Sequence, residues 1–248
     1  MRRLIVNADD FNLTGGVARA IFLAHDRGIV TSTSVFTNLA FSSFQLEGLL
    51  KRKLLGISLH LNVTFGKPVS DCRKIRSLLN SDQAFKRLDH NSIRRLSKEE
   101  LTIEFGAQLA CFRSIFKKMP DHLNTHHHIH VFPNIFDVVC KIAEKNHIPI
   151  RRVSLVQSSE FARKVVTTDY LFGNLSKDHC WTRESLTTIL RHLPEGTSEI
   201  MCHPGLVDRE LREKSSFVSG RNSEFQLFSK PSLRPLLRAQ NISLVSKI

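Results

Sequence analysis

Acidic and imidazole side chains stand in this chain where short apolar runs end. Asp9 and Asp10 follow the first run, and His60 ends the third. His126 ends a run at 121–126, and His203 follows a late run. If these runs are parallel strands, their carboxyl ends lie on one rim, where residues far apart in sequence converge. Carboxylates and imidazoles bind metals and transfer protons, so we predict a hydrolytic metal site there.

The histidines are strongly clustered, because five of the 12 fall between His122 and His130. Imidazole clusters commonly bind metals. In an extended chain His126, His128 and His130 would share one face and His127 the other, which would offer one ligand and two neighbouring proton donors. A structural, hydrogen-bonded role for any one of them, or a solvated tract that scavenges metal, is the alternative.

Two adjacent carboxylates follow the first apolar run. Together with two histidines they suggest a division of labour, with Asp10 as an oxygen ligand and Asp9 as the base that deprotonates metal-bound water. One aspartate and two histidines leave coordination positions open, as a catalytic site requires. The alternative is a pair of charges at a helix N-terminus.

His203 lies in the sequence MCHPG, where Pro204 and Gly205 predict a tight turn. Its candidate role is a general acid that protonates a leaving amine, and a buried structural histidine is the alternative. Two imidazoles and one carboxylate suit Zn²⁺ or another transition metal better than Mg²⁺, which prefers oxygen ligands.

Composition predicts a folded α/β protein. The chain has 248 residues, of which 41% are hydrophobic, and no apolar run long enough for a membrane-spanning helix. Its five cysteines are widely spaced without a CxxC, so neither a disulfide framework nor a cysteine zinc site is expected. A reducing, cytoplasmic location is the simplest interpretation.

The net charge of +13 is unevenly distributed, because the segment from Lys51 to Lys118 has 15 basic and six acidic residues. We interpret this segment as a solvated basic surface and expect no nucleic-acid partner. Of the aromatic residues, 17 are Phe, which indicates core positions rather than stacking platforms.

Hydrophobic periodicity predicts alternating strands and helices around a parallel sheet. The predicted strands are 3–8, 29–36, 54–61, 121–126, 150–156, 197–202 and 242–245. The predicted helices are 17–27, capped by Thr14 and ended by Gly28, then 43–53 and 97–119 with capping boxes, and 133–146, 182–192 and 232–239. Residues 62–96 break this rhythm, as an insertion with short elements or an active-site loop.

The absence of GxGxxG and GxxxxGK[ST] disfavours the common nucleotide-binding folds. The repeated units favour a closed or nearly closed (β/α) barrel, similar to a TIM barrel, forming a single domain over residues 1–248.

Several sequence blocks occur in the same order as in one known family. They are LIVNADDF from Leu4, GIVTSTS from Gly28 with Asn38, SLHL from Ser58 with Gly66-Lys67-Pro68, HLNTHHHIHVFP from His122, and EIMCHPG from Glu199. With these blocks the chain resembles the YdjC-like carbohydrate deacetylases, from Leu4 to about Ile242. That family includes chitooligosaccharide deacetylases and hopanoid-biosynthesis-associated members.

The resemblance implies a degenerate (β/α) barrel that hydrolyses the acetamide of N-acetylated sugars with a divalent metal, usually Mg²⁺. It assigns the metal ligands to Asp10, His60 and His126 and the base to Asp9, and it places His203 in the same pocket. Arg221 and Glu224 resemble the family's Arg-x-x-Glu segment. The expected substrate-binding residues are His128, His130 and Arg221.

Two departures from the family pattern stand out. Asn12 replaces a glycine and is compatible with a positive φ. Asn124 replaces an acidic residue, which removes a charge near the metal and could change how His126 is oriented.

The expected partner is a small carbohydrate or a glycolipid, and a homodimer is compatible with the resemblance. Two other functions remain open from the residues alone. One is a metal-dependent phosphoesterase, which the basic loop would suit. The other is a non-catalytic protein that binds nucleic acid or another anion through the basic surface.

Overall fold

The structure is a computed structural model that describes residues 1–153, 164–173 and 180–248. The chain forms two compact units. The first unit comprises Met1–Val35, Phe41–Ile57 and Thr168–Ile248, and the second comprises Phe36–Ala40 and Ser58–Thr167.

The described strands and helices alternate along much of the chain. The strands are β1 (Arg2–Ala8), β2 (Ser32–Val35), β3 (Gly56–Leu61), β4 (Leu123–Thr125), β5 (Tyr170–Phe172), β6 (Gly196–Cys202) and β7 (Ile242–Leu244). The helices are α1 (Gly15–Arg27), α2 (Ser43–Lys51), α3 (His90–Arg94), α4 (Lys98–Phe116), α5 (Pro133–Asn146), α6 (Arg183–Arg191), α7 (Arg209–Lys214), α8 (Ser219–Phe228) and α9 (Leu233–Ala239). Within the described ranges, no helix is both long and apolar enough to cross a membrane.

The first unit is built on β1, which is buried from Leu4 to Ala8. β1 pairs in parallel with β2, β6 and β7, and β5 pairs in parallel with β6. The pairing of β1 with β6 runs in register from Arg2 opposite Gly196 to Ala8 opposite Cys202. Because the strands are parallel, the residues that follow β1 and β6 emerge at the same edge of the sheet.

The ends of the first helices follow the sequence signals. The Thr14 side chain accepts the Val17 N–H at the start of α1, and Gly28 ends that helix. Ser42 and Gln45 form the predicted capping box of α2.

The second unit contains β4 and β3 from Ser58 onward, which pair in parallel with Leu59 opposite Leu123 and His60 opposite Asn124. α4 and α5 pack on each other, and both helices have buried aromatic side chains, such as Phe105 and Phe112 of α4 and Phe136 of α5. The predicted α/β class with parallel strands is confirmed in both units. A single domain over 1–248 stays a prediction.

Residues 62–96 form an insertion with short elements. It contains two 3₁₀ turns, Cys72–Lys74 and Arg76–Leu78, and α3. The buried Glu104 carboxylate of α4 holds it by accepting the Val69 and Ser70 N–H groups, each at 3.0 Å. Only one half of the predicted capping box of α4 forms. The Ser97 side chain caps the helix, but the Glu100 carboxylate accepts from the Ser77 hydroxyl at 2.6 Å.

Several predicted boundaries are wrong. β2 begins at Ser32 rather than at residue 29, because the Ile29 and Val30 N–H groups donate to the Phe228 and Ala24 carbonyls in a turn. Of the predicted strand 150–156, Ile150 makes isolated bridges, 151–153 is not strand, and 154–156 lies outside the described residues. β5, α7 and α8 were not predicted, because their segments are short or lack a clear apolar period.

Candidate active site

The histidine tract does not continue the strand. β4 ends at Thr125, and His126–Val131 forms a 3₁₀ turn in which His127 and His128 have φ values of 55° and 51°. The Thr125 hydroxyl accepts the His130 N–H at 3.1 Å, which closes the turn and places His130 in the interior. The prediction that alternate histidines share one face of an extended chain is therefore wrong.

Two of the predicted metal ligands lie together in the second unit. The His60 and His126 rings are 5.6 Å apart between centroids. Phe36 contacts both with edge-to-face geometry, at centroid distances of 5.0 and 5.2 Å. His60 is 2% exposed, and His126 is half-buried and stacked on exposed His127.

Each of these two histidines has its Nδ1 atom in a short hydrogen bond. His60 Nδ1 lies 2.6 Å from Asn124 Oδ1, its cross-strand neighbour. His126 Nδ1 lies 2.6 Å from the Thr64 hydroxyl. Asn124 thus bonds to His60, and Thr64 bonds to His126. An effect of Asn124 on the orientation of His126 stays a prediction.

His128 and His130 were expected to contact substrate. His130 is fully buried, with Nδ1 2.7 Å from the Thr125 hydroxyl, and His128 is half-buried, with its ring 5.9 Å from that of His130. Their roles in substrate binding stay predictions.

Asp9 and His203 lie together in the first unit, as their positions after β1 and β6 predict. The Asp9 N–H donates to the Cys202 carbonyl at 2.9 Å, which extends the β1–β6 ladder by one residue. Its carboxylate is 1% exposed and accepts from Asn7 at 2.7 Å. Oδ2 of Asp9 lies 3.8 Å from Nε2 of His203, whose side chain is 24% exposed.

Asp10 is held by a buried ion pair. The Arg221 guanidinium donates to its carboxylate at 2.6 Å, and both side chains are 3% exposed. Asp10 has a φ of 66°, in the left-handed region that aspartate tolerates better than most residues. Asn12, whose residue type is compatible with a positive φ, does not have one in the structure.

Arg221 was predicted to contact substrate, and in the structure it is buried. Besides Asp10, it donates to the Phe217 carbonyl at 2.8 Å. Its NH1 atom is buried and has no hydrogen-bond partner among the described residues. Its role in substrate binding stays a prediction.

Glu224, the acid of the Arg-x-x-Glu segment, fixes the backbone at His203. Its carboxylate accepts the His203 N–H at 2.5 Å and the Trp181 N–H at 3.4 Å. Burial raises the pKa of Glu224 from 4.5 to about 7, although these two N–H groups and Arg221 lower it. Glu224 thus links α8 to the residue that follows β6.

An open cavity is lined by residues that come after His203 in the sequence. Its volume of about 680 Å³ is within the range of small-molecule sites. Gly205 donates its N–H to the Arg221 carbonyl at 3.0 Å, so the cavity adjoins the segment that carries Arg221. Three apolar and four polar residues line it: Leu206, Val207, Val218, Arg212, Ser216, Ser219 and Asn222.

The chemistry of the donor atoms decides whether the residues of this site fit a metal ion. Among the residues that the structure describes, no group of three or more His, Cys, Asp and Glu side chains is arranged to hold a metal. His60 and His126 are nevertheless adjacent imidazoles with short bonds at Nδ1, the second-shell contact that metal-ligating histidines usually have. The donor chemistry of this pair fits a divalent cation.

Sequence reasoning missed several residues that support these groups, namely Asn7, Phe36, Thr64 and the contact of Glu224 with His203. A signal existed for Asn7, because strand alternation places residues two apart on the same face, and Asp9 follows β1 directly. Thr64 lies in an irregular loop, where periodicity gives no signal.

These features define an α/β protein with acidic and imidazole side chains at the carboxyl ends of parallel strands, where enzymes of this class have their active sites. Residues 3–239 match the model of the YdjC-like protein family, so the chain belongs to that family.

Similar proteins cover nearly the whole chain. A carbohydrate deacetylase of Clostridium beijerinckii is 30% identical and covers 98% of both chains. A chitooligosaccharide deacetylase of Salmonella paratyphi B is 31% identical over 94% of this chain and 93% of its own. A solved Enterococcus faecalis V583 structure, described as a candidate cellobiose-phosphate cleavage protein, has a TM-score of 0.87 and 26% identity, covering 98% of this chain and 97% of its own.

Proposed function

We propose that this protein is a hydrolase that removes the acetyl group from an N-acetylated sugar. The observation that carries the proposal is the Asp9–His203 pair, with 3.8 Å between carboxylate and imidazole, in a chain whose full-length relatives are named carbohydrate deacetylases. Hydrolysis of an acetamide needs one group that accepts a proton from water and one that protonates the departing amine.

The roles of the pair follow from its surroundings. Asp9 accepts the proton as water attacks the acetamide carbonyl carbon. His203 then gives a proton to the sugar nitrogen as the C–N bond breaks, and acetate and the free amine leave. The Asp9 carboxylate stabilises positive charge on His203, and Glu224 holds the His203 backbone in place.

We further propose that the reaction uses a divalent metal held by His60 and His126 of the second unit. The assignment of Asp10 as a further ligand stays a prediction of the family resemblance. When bound, such a cation polarises the acetamide carbonyl and makes water more acidic. The resemblance favours Mg²⁺, whereas two imidazole donors favour Zn²⁺ or another transition metal.

We assign part of the carbohydrate to the cavity of the first unit. Its apolar side chains suit the faces of a sugar ring, and its hydroxyl and amide groups suit sugar hydroxyls. Asn222→Ala should therefore raise KM several-fold and leave kcat nearly unchanged.

The test is acetate release from N-acetylglucosamine oligomers and glycolipids by metal-stripped protein resupplied with Mg²⁺, Zn²⁺, Mn²⁺ or Co²⁺. Asp9→Asn and His203→Ala should each lower kcat by about 10²–10⁴-fold. The matched controls are the exposed residues Asp26→Asn and His192→Ala, which should keep wild-type activity.

Full activity in Asp9→Asn and His203→Ala would overturn the assigned roles. Absence of acetate release from every substrate with every metal would overturn the proposed function. Phosphate release from phosphorylated sugars, measured in parallel, would then support the phosphoesterase alternative.

A further inference from the structure

We infer that two separate hydrogen-bond chains in the second unit hold His60 and His126 in the same tautomer, with the proton on Nδ1 and the lone pair on Nε2. Asn124 and Thr64 are then positioning residues that prepare both imidazoles to bind a cation through Nε2. The use of these Nε2 atoms as metal ligands rests on the proposed function, whereas the tautomers rest on the hydrogen bonds alone.

The hydrogen-bond chain that ends at His126 begins at the side chain of Asn62. Oδ1 of Asn62 accepts the backbone N–H groups of Thr64 and Phe65 at 2.9 and 3.1 Å, which identifies it as the carbonyl oxygen. The amide nitrogen of Asn62 donates to the Phe65 carbonyl at 2.7 Å, consistent with that orientation.

The Thr64 hydroxyl lies 3.1 Å from Asn62 Oδ1 with the geometry of a donor to that oxygen, which has no proton of its own. A hydroxyl has a single proton to donate. Thr64 Oγ1 therefore accepts at its other contact, the one of 2.6 Å with His126 Nδ1. The proton of His126 is consequently on Nδ1.

The hydrogen-bond chain that ends at His60 runs along β3 and β4. Ser58 and His60 on β3, Asn124 on β4, and His122 just before β4 are all at most 2% exposed. The contact of 2.6 Å between Asn124 and His60 Nδ1 is too short for two nitrogens, so the carbonyl oxygen of the amide faces His60. Because a carbonyl oxygen only accepts, His60 Nδ1 carries the proton.

The remaining contacts of this chain agree with that direction. The amide nitrogen of Asn124 lies 3.4 Å from His122 Nε2, which accepts from it. The proton of His122 is then on Nδ1, which lies 2.7 Å from the Ser58 hydroxyl. The order Ser58, His122, Asn124, His60 therefore has one consistent direction of donation.

The two hydrogen-bond chains therefore preorganise both imidazoles to bind a cation through Nε2. A histidine in water favours the tautomer with the proton on Nε2, which would block that atom as a ligand. Here two unrelated networks impose the opposite tautomer on neighbouring imidazoles, both of which pack on Phe36. Asn124 imposes it without the negative charge that an aspartate would add.

The experiment reads the tautomers directly from ¹⁵N NMR shifts of the imidazole nitrogens in the metal-free full chain, assigned with His60→Gln and His126→Gln. In wild type, Nδ1 of both residues should have the shift of a protonated nitrogen and Nε2 that of an unprotonated one. A proton on Nε2 of either residue would overturn the inference.

Paired variants separate the two networks. Thr64→Val should release His126 alone, Asn124→Leu should release His60 alone, and each should weaken Co²⁺ affinity by about 10- to 100-fold. Thr64→Ser and Asn124→Asp keep an acceptor at each site and should keep the wild-type tautomers, and Asn124→Asp should strengthen Co²⁺ binding. Unchanged ¹⁵N shifts in Thr64→Val and Asn124→Leu, or unchanged Co²⁺ affinity, would contradict the positioning role.

The experiments distinguish failure of the tautomer inference from failure of the deacetylase proposal. The expected tautomers and Co²⁺ affinities without acetate release would refute the proposed function and leave this inference standing. Acetate release with the proton on Nε2 of His60 or His126 would refute the inference and leave the proposed function standing.

Discussion

At Asp10 the backbone and the side chain are both constrained. Its φ of 66° is tolerated by Asp and Asn but strained for alanine, and its carboxylate neutralises the buried Arg221. Removing one partner of a buried ion pair leaves an uncompensated charge, which costs about 3–5 kcal/mol.

We therefore expect Asp10→Ala to lower the free energy of unfolding by about 3–5 kcal/mol, measured by urea denaturation. Asp10→Asn should cost less, because it keeps an acceptor for Arg221 and tolerates the backbone angle. The exposed Asp26→Asn is the control. A loss below about 1 kcal/mol in Asp10→Ala would show that the ion pair contributes little net stability.

Glu224 should make stability depend on pH. Its pKa rises from 4.5 to about 7 on folding, because burial disfavours the carboxylate. Between these values the folded state binds more protons than the unfolded state, so the free energy of unfolding falls as the pH rises. A shift of this size corresponds to at most about 3 kcal/mol, lost across that range and constant above it.

Glu224→Gln is neutral at every pH and should remove this dependence. We expect wild type to lose up to about 3 kcal/mol relative to the Gln variant between about pH 4.5 and 8. Chemical denaturation of both proteins at several pH values measures the difference. Parallel pH profiles would mean that the carboxyl group is already ionised in the folded protein near pH 5.

At the scale of elements, two glycines in or next to helices differ in whether a side chain would fit at their position. Gly106 lies inside α4, and a Cβ there would meet no atom within 4 Å. Gly28 ends α1, and a Cβ there would lie 1.8 Å from the Phe228 carbonyl oxygen. The first glycine costs helix stability without a packing reason, whereas the second permits a close approach of α8 to the end of α1.

Gly106→Ala should raise the free energy of unfolding by about 0.5–1 kcal/mol, because alanine favours helix. Gly28→Ala should lower it by more than about 2 kcal/mol, because backbone atoms must shift. Thermal and urea denaturation of both variants measure these effects. A stabilised Gly28→Ala protein would contradict the packing of Phe228 against this turn.

The elements that the sequence predicts well are those set by local signals. The apolar run of β1, the Thr14 cap and the Ser42 capping box depend on a few neighbouring residues. The turn after β4 was missed because it depends on the Thr125 hydroxyl bonding back to the His130 backbone. Glu100 was misassigned because a serine in the insertion competes for its carboxylate.

The same distinction applies to the candidate site. Strand ends predicted that Asp9 and His203 meet in the first unit, since β1 and β6 are parallel neighbours. The partners of Asp10 and His126 could not be predicted, because Arg221 is far away in sequence and Thr64 lies in an irregular loop. Periodicity carries information about faces of regular elements and none about such contacts.

At the scale of the whole molecule, much of the net charge of +13 comes from the segment between Lys51 and Lys118. Every basic residue between 51 and 118 is exposed except the half-buried Arg52. Several have acidic partners, including Arg73 with Asp71 and Lys98 with Asp137. This distribution is that of a solvated surface, and the expected lack of a nucleic-acid partner stays a prediction.

Metal binding should be visible as stability of the whole chain, because a ligand that binds only the folded state stabilises it. At a free metal concentration 100 times Kd the gain is about 2.7 kcal/mol. For a chain of this size each kcal/mol raises Tm by about 2–4 °C, so the expected increase is about 5–10 °C. Thermal melts of metal-stripped protein with Mg²⁺, Zn²⁺, Mn²⁺ and Co²⁺ would rank the metals by the size of the increase.

His60→Ala and His126→Ala should each abolish most of that increase, because each removes an imidazole of the pair. His192→Ala, an exposed histidine in the first unit, should retain it. An equal increase in all three variants would place the metal at other residues. No increase with any of the four metals would refute the metal-dependent part of the proposed mechanism, while the Asp9–His203 pair would remain open to the acetate-release test.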